Sequence, residues 1–196
     1  DFILAGQPEP PVYFARMKAW NRDGVPLLGE VPSPRRPAAA EIPDAVAGTR
    51  VIDVRDWASF REGHLPGANW TTDGIGFLMA VGSYIEPDER IVLVCREDQA
   101  DTLVRDLVRI GLDRVEAIVT PEVLDAFRVA GGEVATAPEI TAGELRDRLE
   151  GGETRILDVR RAVEHANGNL EHAVNVAHTR LVPRIDEVPN GDGPIL

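Results

Sequence analysis

With 196 residues, 43% of them hydrophobic and 28% charged, the chain is long and apolar enough to bury a core in one large or two small units, which excludes a disordered segment. Its net charge of -12 and pI near 4.8 exclude a nucleic acid or an anionic membrane surface as the expected partner, because both select basic proteins. One cysteine, Cys95, excludes an internal disulfide framework and fits a reducing cytoplasm, and neither a membrane-length apolar run nor a signal-peptide pattern is present.

Residues 1–40 are rich in proline. Pro8, Pro10 and Pro11 precede an apolar-aromatic patch at Val12, Tyr13, Phe14 and Met17, and Pro32, Pro34 and Pro37 follow it. Proline on both flanks leaves room for one short helix, predicted from Tyr13 to Asn21, with a linker after Gly29. The segment reads as the end of a preceding part.

From residue 41 onward strands alternate with helices, the pattern of a parallel sheet covered on both faces. Val51 to Val54, Ile91 to Val94 and Val115 to Val119 are short β-branched runs, the second leading into Cys95. Leu103, Val104, Leu107 and Val108 recur at helical spacing, with Asp101, Arg105, Asp106 and Arg109 on the other side. A further helix is expected from N-cap Thr120 and Pro121, burying Val123, Leu124 and Phe127 and stopping at Gly131 and Gly132. This places one domain at 41–136. A second unit, 137–196, opens with Thr141 and Glu144 in capping-box spacing and a helix running to Gly151 and Gly152.

An internal repeat fixes the relation between the two. Thr49-Arg50-Val51-Ile52-Asp53-Val54-Arg55 returns as Thr154-Arg155-Ile156-Leu157-Asp158-Val159-Arg160, an offset of 105 positions, and without a gap Gly63, Leu65 and Ala68 match Gly168, Leu170 and Ala173. At that offset the counterpart of Cys95 would fall near position 200. The second copy is therefore read as the first half of a domain, with Pro194, Ile195 and Leu196 starting its next strand, and as exposing apolar sheet surface unless a partner covers it. Glu171 and His172 replace Pro66 and Gly67, and Asn169 replaces His64, so the turn of the second copy is expected to differ.

Asp53-Val54-Arg55, then Phe60, then Gly63-His64-Leu65-Pro66-Gly67-Ala68, and finally Cys95 at a strand end resemble the signature of the rhodanese family over about residues 41–136. The resemblance implies an α/β fold: a three-layer α/β/α domain around a parallel five-stranded sheet, here with a partial second copy. It also implies a cysteine in a short loop between a central strand and a helix. Loop amides and a helix N-terminus there would stabilise a thiolate and an anionic sulfur donor, thiosulfate or a persulfide, for transfer by two displacements.

Active members tend to read C-R-x-G-x-R, whereas this chain reads Cys95-Arg96-Glu97-Asp98-Gln99-Ala100. Asp98 takes the place of the glycine and Ala100 that of the arginine, and Glu97, Asp98 and Asp101 bring carboxylates toward the thiol, which disfavours thiolate and anionic donor alike. If the copy is active, Cys95 is the catalytic residue and the backbone of Arg96, Glu97, Asp98, Gln99 and Ala100 binds the donor. The alternative is a strand-end cysteine in a degenerate copy used for docking or spacing. A phosphatase loop, C-x5-R, is excluded by Asp101 in the arginine position.

Asp53, Arg55, His64 and Gly67, with Asp158 and Arg160 in the second copy, are read as structural, hydrogen-bonding the backbone of the turn that follows the strand. His64, His165, His172 and His178 lack metal-ligand spacing, so neither a metal nor any other cofactor is expected in this chain.

The segment from Gly6 to Lys18, continuing to Asn21 and Gly24, resembles the end of a metallo-β-lactamase-fold hydrolase of the kind fused to tandem rhodanese domains. That resemblance implies a hydrolase part similar to glyoxalase II and persulfide dioxygenases, binding iron or zinc outside this chain. The expected partners are small sulfur compounds and the hydrolase and second rhodanese domains of the same protein, and self-association stays open.

Overall fold

In the computed structural model residues 10–151, 154–190 and 195 are described. Gly6 to Glu9 of the N-terminal motif, Gly152, Pro194 and Leu196 lie outside them. The chain divides into two compact units, the larger spanning Ala15–Pro138 and the smaller built on Glu139–Leu196. Among the described residues no helix is long and apolar enough to cross a membrane.

The larger unit is organised by four parallel strands, β1 (Arg50–Asp53), β2 (Asn69–Trp70), β3 (Ile91–Val94) and β4 (Val115–Val119), in the order β2-β1-β3-β4. A five-stranded sheet was expected, and the fifth place is filled by a single residue. Arg35 lies parallel to Ala117 on the outer edge of β4, donating its amide to Glu116 O at 2.9 Å and accepting from Ile118 N at 2.9 Å. The prolines at 32, 34 and 37 explain why the pairing stops there, since each removes an amide from the ladder.

Alternation along the strands divides the core. Val51, Val92, Val94, Ala117 and Val119 point to one face, where they pack with Leu65, with Ile42 of helix α2 (Ile42–Val46) and with Leu124 of α6 (Pro121–Val129). Ile52, Leu93 and Ile118 point to the other face and are buried as completely. The connecting helices are α3 (Trp57–Glu62), α4 (Ile75–Tyr84) and α5 (Glu97–Arg109), which runs between β3 and β4 and buries Ala100, Leu103, Val104 and Leu107. Such a crossover lays a helix on the sheet because parallel neighbours cannot be joined by a tight turn.

A glycine ends α5 where the chain must turn left-handed. At Gly111 (φ +77°) Leu112 N donates to Leu107 O and Gly111 N to Val108 O, satisfying the last carbonyls of α5. Gly111 has a second task. A Cβ there would stand 2.1 Å from the Trp20 indole, which packs on it from α1 (Phe14–Asp23). Arg16 of α1 donates from Nη2 to Ile110 O at 2.9 Å, a cation placed at the negative end of α5. Helix α1 is thereby fastened to the larger unit, and it continues to Asp23, two residues past the predicted end.

The smaller unit repeats the first elements of the larger one. Thr141 and Glu144 close the expected capping box, Glu144 N donating to Thr141 Oγ1 at 3.2 Å and Thr141 N to Glu144 Oε2 at 2.6 Å, and start α7 (Ala142–Glu150). Strands β5 (Leu157–Asp158) and β6 (Val174–Asn175) pair as Leu157 with Val174 and Asp158 with Asn175, the register of Ile52 with Asn69 and Asp53 with Trp70 shifted by 105. Helix α8 (Ala162–Ala166) stands where α3 stands.

The turn was expected to differ between the copies, and its backbone does not. His172 takes φ +65° where Gly67 takes +76°, and Ala173 N donates to Leu170 O at 3.1 Å as Ala68 N does to Leu65 O at 3.0 Å. Histidine is among the residues that enter the left-handed region at lower cost, so the register of the repeat overrides the change of residue.

The candidate sulfur site and the motif that frames it

Two arrangements stand at strand ends, one after β1 and one after β3. The first holds the chain path. Asp53 is fully buried and its carboxylate accepts Arg55 N at 3.0 Å, Arg55 Nε at 3.0 Å and Arg55 Nη2 at 2.7 Å. The same Nη2 donates to Gly63 O at 2.8 Å, tying the end of α3 to the end of β1. His64 stacks on Phe60, centroids 3.8 Å apart and planes at 8°, and its Nδ1–H donates to Phe60 O at 2.8 Å. Its backbone bridges Ala135, closing the domain. Gly67 has open space around it, so its positive φ alone accounts for glycine.

In the smaller unit Arg160 repeats the bonds to Asp158 at 3.0 and 2.6 Å and donates to Gly168 O at 2.9 Å. Two substitutions keep the roles with other atoms: Asn169, at the His64 position, donates to His165 O at 3.0 Å as His64 Nδ1 does to Phe60 O, and Asn175, at the Trp70 position, donates to Arg160 O at 2.9 Å as Trp70 Nε1 does to Arg55 O. His165, at the Phe60 position, adds a bond that phenylalanine cannot make, from Nδ1 to Asp158 Oδ2 at 2.9 Å. Arg160, and His165 after it, hold the Asp158 carboxyl well below the usual carboxylate range.

The second arrangement surrounds Cys95. All four residues of β3 are buried, and Cys95 N continues the ladder by donating to Val119 O at 3.2 Å, so the thiol stays inside at 0% exposure. Arg96 N donates to Gln99 Oε1 at 3.3 Å and Gln99 N to Arg96 O at 3.1 Å, which caps α5 with its own side chain and backbone. The expected loop is therefore reduced to Cys95 and Arg96, because Glu97, Asp98, Gln99 and Ala100 form the first turn of α5 and Ala100 is buried.

Arg36, Arg96, Glu97 and Asp98, the charged groups that flank the thiol, are paired with one another. Arg96 Nε pairs with Asp98 at 3.1 Å, and Arg36 grips Glu97 through Nε at 3.1 Å and Nη2 at 2.6 Å. Gln99 Nε2 donates to Asp73 at 3.0 Å. Burial, and then the Glu97 charge, push the Cys95 thiol up to about 12, outweighing Arg36 and Arg96, which pull the other way. A neutral thiol in a dry site is a poor nucleophile. Next to it lies a polar cleft of about 310 Å³ lined by Arg55, Arg96, Gln99 and Arg128 among others, and Cys95 does not line it.

Arg36 and Asp73 carry no sequence signal. Arg36 follows a proline-rich stretch without periodicity and reaches Glu97 only because Arg35 pairs with β4. Among the described residues no group of three or more His, Cys, Asp or Glu is arranged to hold a metal ion.

A family model for the rhodanese-like domain matches residues 38–119 and 141–194, more than two thirds of the sequence. The chain belongs to the rhodanese-like domain family. Both matched segments contain the Asp-x-Arg pair described above. Among solved structures, a metallo-β-lactamase from Staphylococcus aureus subsp. aureus COL is 23% identical with a TM-score of 0.52, over 62% of this chain and 34% of its own. EanB is 15% identical with a TM-score of 0.43, over 76% and 41%. A rhodanese-related protein from Thermoplasma volcanium is 19% identical with a TM-score of 0.42, over 53% and 99%. The chain thus spans about a third of the metallo-β-lactamase structure that it resembles in fold. No curated protein matches it.

Proposed function

We propose that the larger rhodanese-like unit is a non-catalytic module of a cytoplasmic enzyme of persulfide or thiosulfate metabolism, used for docking or spacing between a metallo-β-lactamase-fold hydrolase and a terminal sulfurtransferase domain. The observation that carries this reading is the placement of Cys95: its sulfur is buried and outside the neighbouring cleft, and that burial pushes the thiol up to about 12. The hydrolase partner rests on the resemblance of the segment around Tyr13 to Gly24, and any iron or zinc belongs to that part.

The second reading is an active sulfurtransferase, favoured by Arg36 and Arg96, which both stabilise a Cys95 thiolate. In it the thiolate attacks the outer sulfur of thiosulfate, forming an S–S bond as sulfite leaves. Cyanide then takes that sulfur as thiocyanate and returns the thiolate. A thiosulfate:cyanide assay separates the two. The module reading expects the chain and its Cys95→Ser variant to give the same background rate. Turnover that Cys95→Ser abolishes would overturn it.

A further inference from the structure

Parallel strands all start at one end of a sheet, and in the larger unit three neighbouring strands open there on an arginine. Arg50 begins β1, Arg90 precedes β3 and Arg114 precedes β4. The ladder sets them side by side, because Arg50 N donates to Arg90 O at 2.7 Å and Ile91 N to Arg114 O at 2.9 Å. Neighbouring strands lie about 4.8 Å apart, so the three side chains leave the sheet within about 10 Å of one another. Cys95 stands at the other end, after β3.

The three arginines line an open cleft of about 470 Å³ with the Gly48–Thr49 turn and two carboxylates, Asp88 and Glu89. In a chain of net charge -12 this lining is positive, three charges against two. Arg90, in the middle, is fixed: its Nη2 donates to Ala47 O at 2.8 Å and its Nη1 to Glu116 at 3.3 Å. Gly48 makes room for it, since a Cβ there would stand 3.2 Å from that Nη2 and the φ of +64° also asks for glycine. The outer two arginines keep donors to spare. Arg50 gives Nε to Glu89 at 2.6 Å and Arg114 gives Nη1 to the Asp88 carbonyl, and among the described residues their other guanidinium N–H groups have no acceptor. Glu89 is engaged on both oxygens, by Arg50 and by Glu86 N at 2.8 Å, so it competes little for those donors.

Planar guanidinium forks match the oxygens of phosphate-like anions, which they grip in pairs. Among the described residues no apolar or aromatic side chain lines the cleft, so it offers nothing to a base or an acyl chain. We propose that this cleft binds a small inorganic oxyanion with two anionic groups, of the diphosphate class, held by Arg50 and Arg114 on either side of Arg90. Two groups are required because the spare donors belong to the outer two of the three arginines. The site is independent of the state of Cys95.

The test is calorimetric titration of the whole chain with pyrophosphate at about 50 mM salt, where screening is weak. One saturable site is expected, with a Kd of about 1 mM or tighter. Sulfate, which has a single anionic group, should bind at least about tenfold more weakly, and ADP no more tightly than pyrophosphate. Arg50→Gln and Arg114→Gln, both at exposed positions and checked for unchanged circular dichroism, should each weaken pyrophosphate binding at least about fivefold. Arg105→Gln, which removes an exposed arginine of α5 outside the cleft, should leave it unchanged. Absence of saturable binding, or equal weakening in all three variants, would overturn the site. Sulfate binding as tightly as pyrophosphate, or ADP binding tenfold more tightly, would overturn the assignment of a bare two-group anion.

Discussion

Asp53 and Asp158 make nearly the same hydrogen bonds in different surroundings, and the difference sets what each is worth. The Asp53–Arg55 pair is shut off from water, with side chains 0% and 8% exposed, whereas Arg160 is half in solvent at 49%. Removing one partner of a buried pair leaves the other charge uncompensated, so Asp53→Ala should cost about 3–5 kcal/mol. Asp158→Ala should cost about 1 kcal/mol, because water takes over Arg160. All three tryptophans, Trp20, Trp57 and Trp70, lie in the larger unit, so fluorescence during urea unfolding reports the first variant alone. Hydrogen exchange at Val174 and Val176, whose amides donate to Ile156 O and Asp158 O, reports the second. Asp158 also makes the smaller unit acid-sensitive. Its folded carboxyl titrates below the unfolded one, so its contribution is complete above about pH 4 and is lost as pH falls through the folded value. Protection at Val176 should drop below about pH 4, and Asp158→Asn should flatten that dependence. A drop as steep in Asp158→Asn would assign the acid sensitivity to another group.

At the scale of elements, the docking of α1 turns on Gly111, where a side chain meets both a left-handed backbone and the Trp20 indole. Gly111→Ala should therefore destabilise the larger unit by more than the ~1–2 kcal/mol of the backbone alone. In a Trp20→Ala background the cost should fall back to that range, a coupling that a double-mutant cycle measures through Trp57 and Trp70 fluorescence. Equal costs in both backgrounds would mean that Trp20 does not rest on Gly111. The sequence was readable where period and punctuation agree: β1, which lies one residue ahead of the run Val51 to Val54, the strands ending at Val94 and Val119, the apolar stripe of α5 and the capping box of α7. It was silent on α4, whose Phe77, Val81 and Ser83 are buried in a run so apolar that no polar face marks the period. β2 and β6 are two residues each, too short to show alternation. The turn at His172 misled because its conformation is imposed by the paired strands on either side.

For the whole molecule, one fold motif is used twice, the pairing of β1 with β2 returning in that of β5 with β6. The candidate site was legible as to which residues cluster, since Cys95 through Ala100 are contiguous in sequence, but their accessibility was not. That depends on Cys95 N pairing with Val119 and on Arg36 arriving from an edge strand, both contacts between distant parts of the chain. The account of the larger unit as a module without sulfur chemistry stands on the state of a single thiol. The rate at which iodoacetamide modifies Cys95 in the native chain, followed by intact mass against pH, measures that state directly. At pH 8 the modification should be at least about a hundredfold slower than that of free cysteine and should still be rising at pH 10. A rate within tenfold of free cysteine that levels off below pH 9 would mean an accessible thiolate, and would contradict the account.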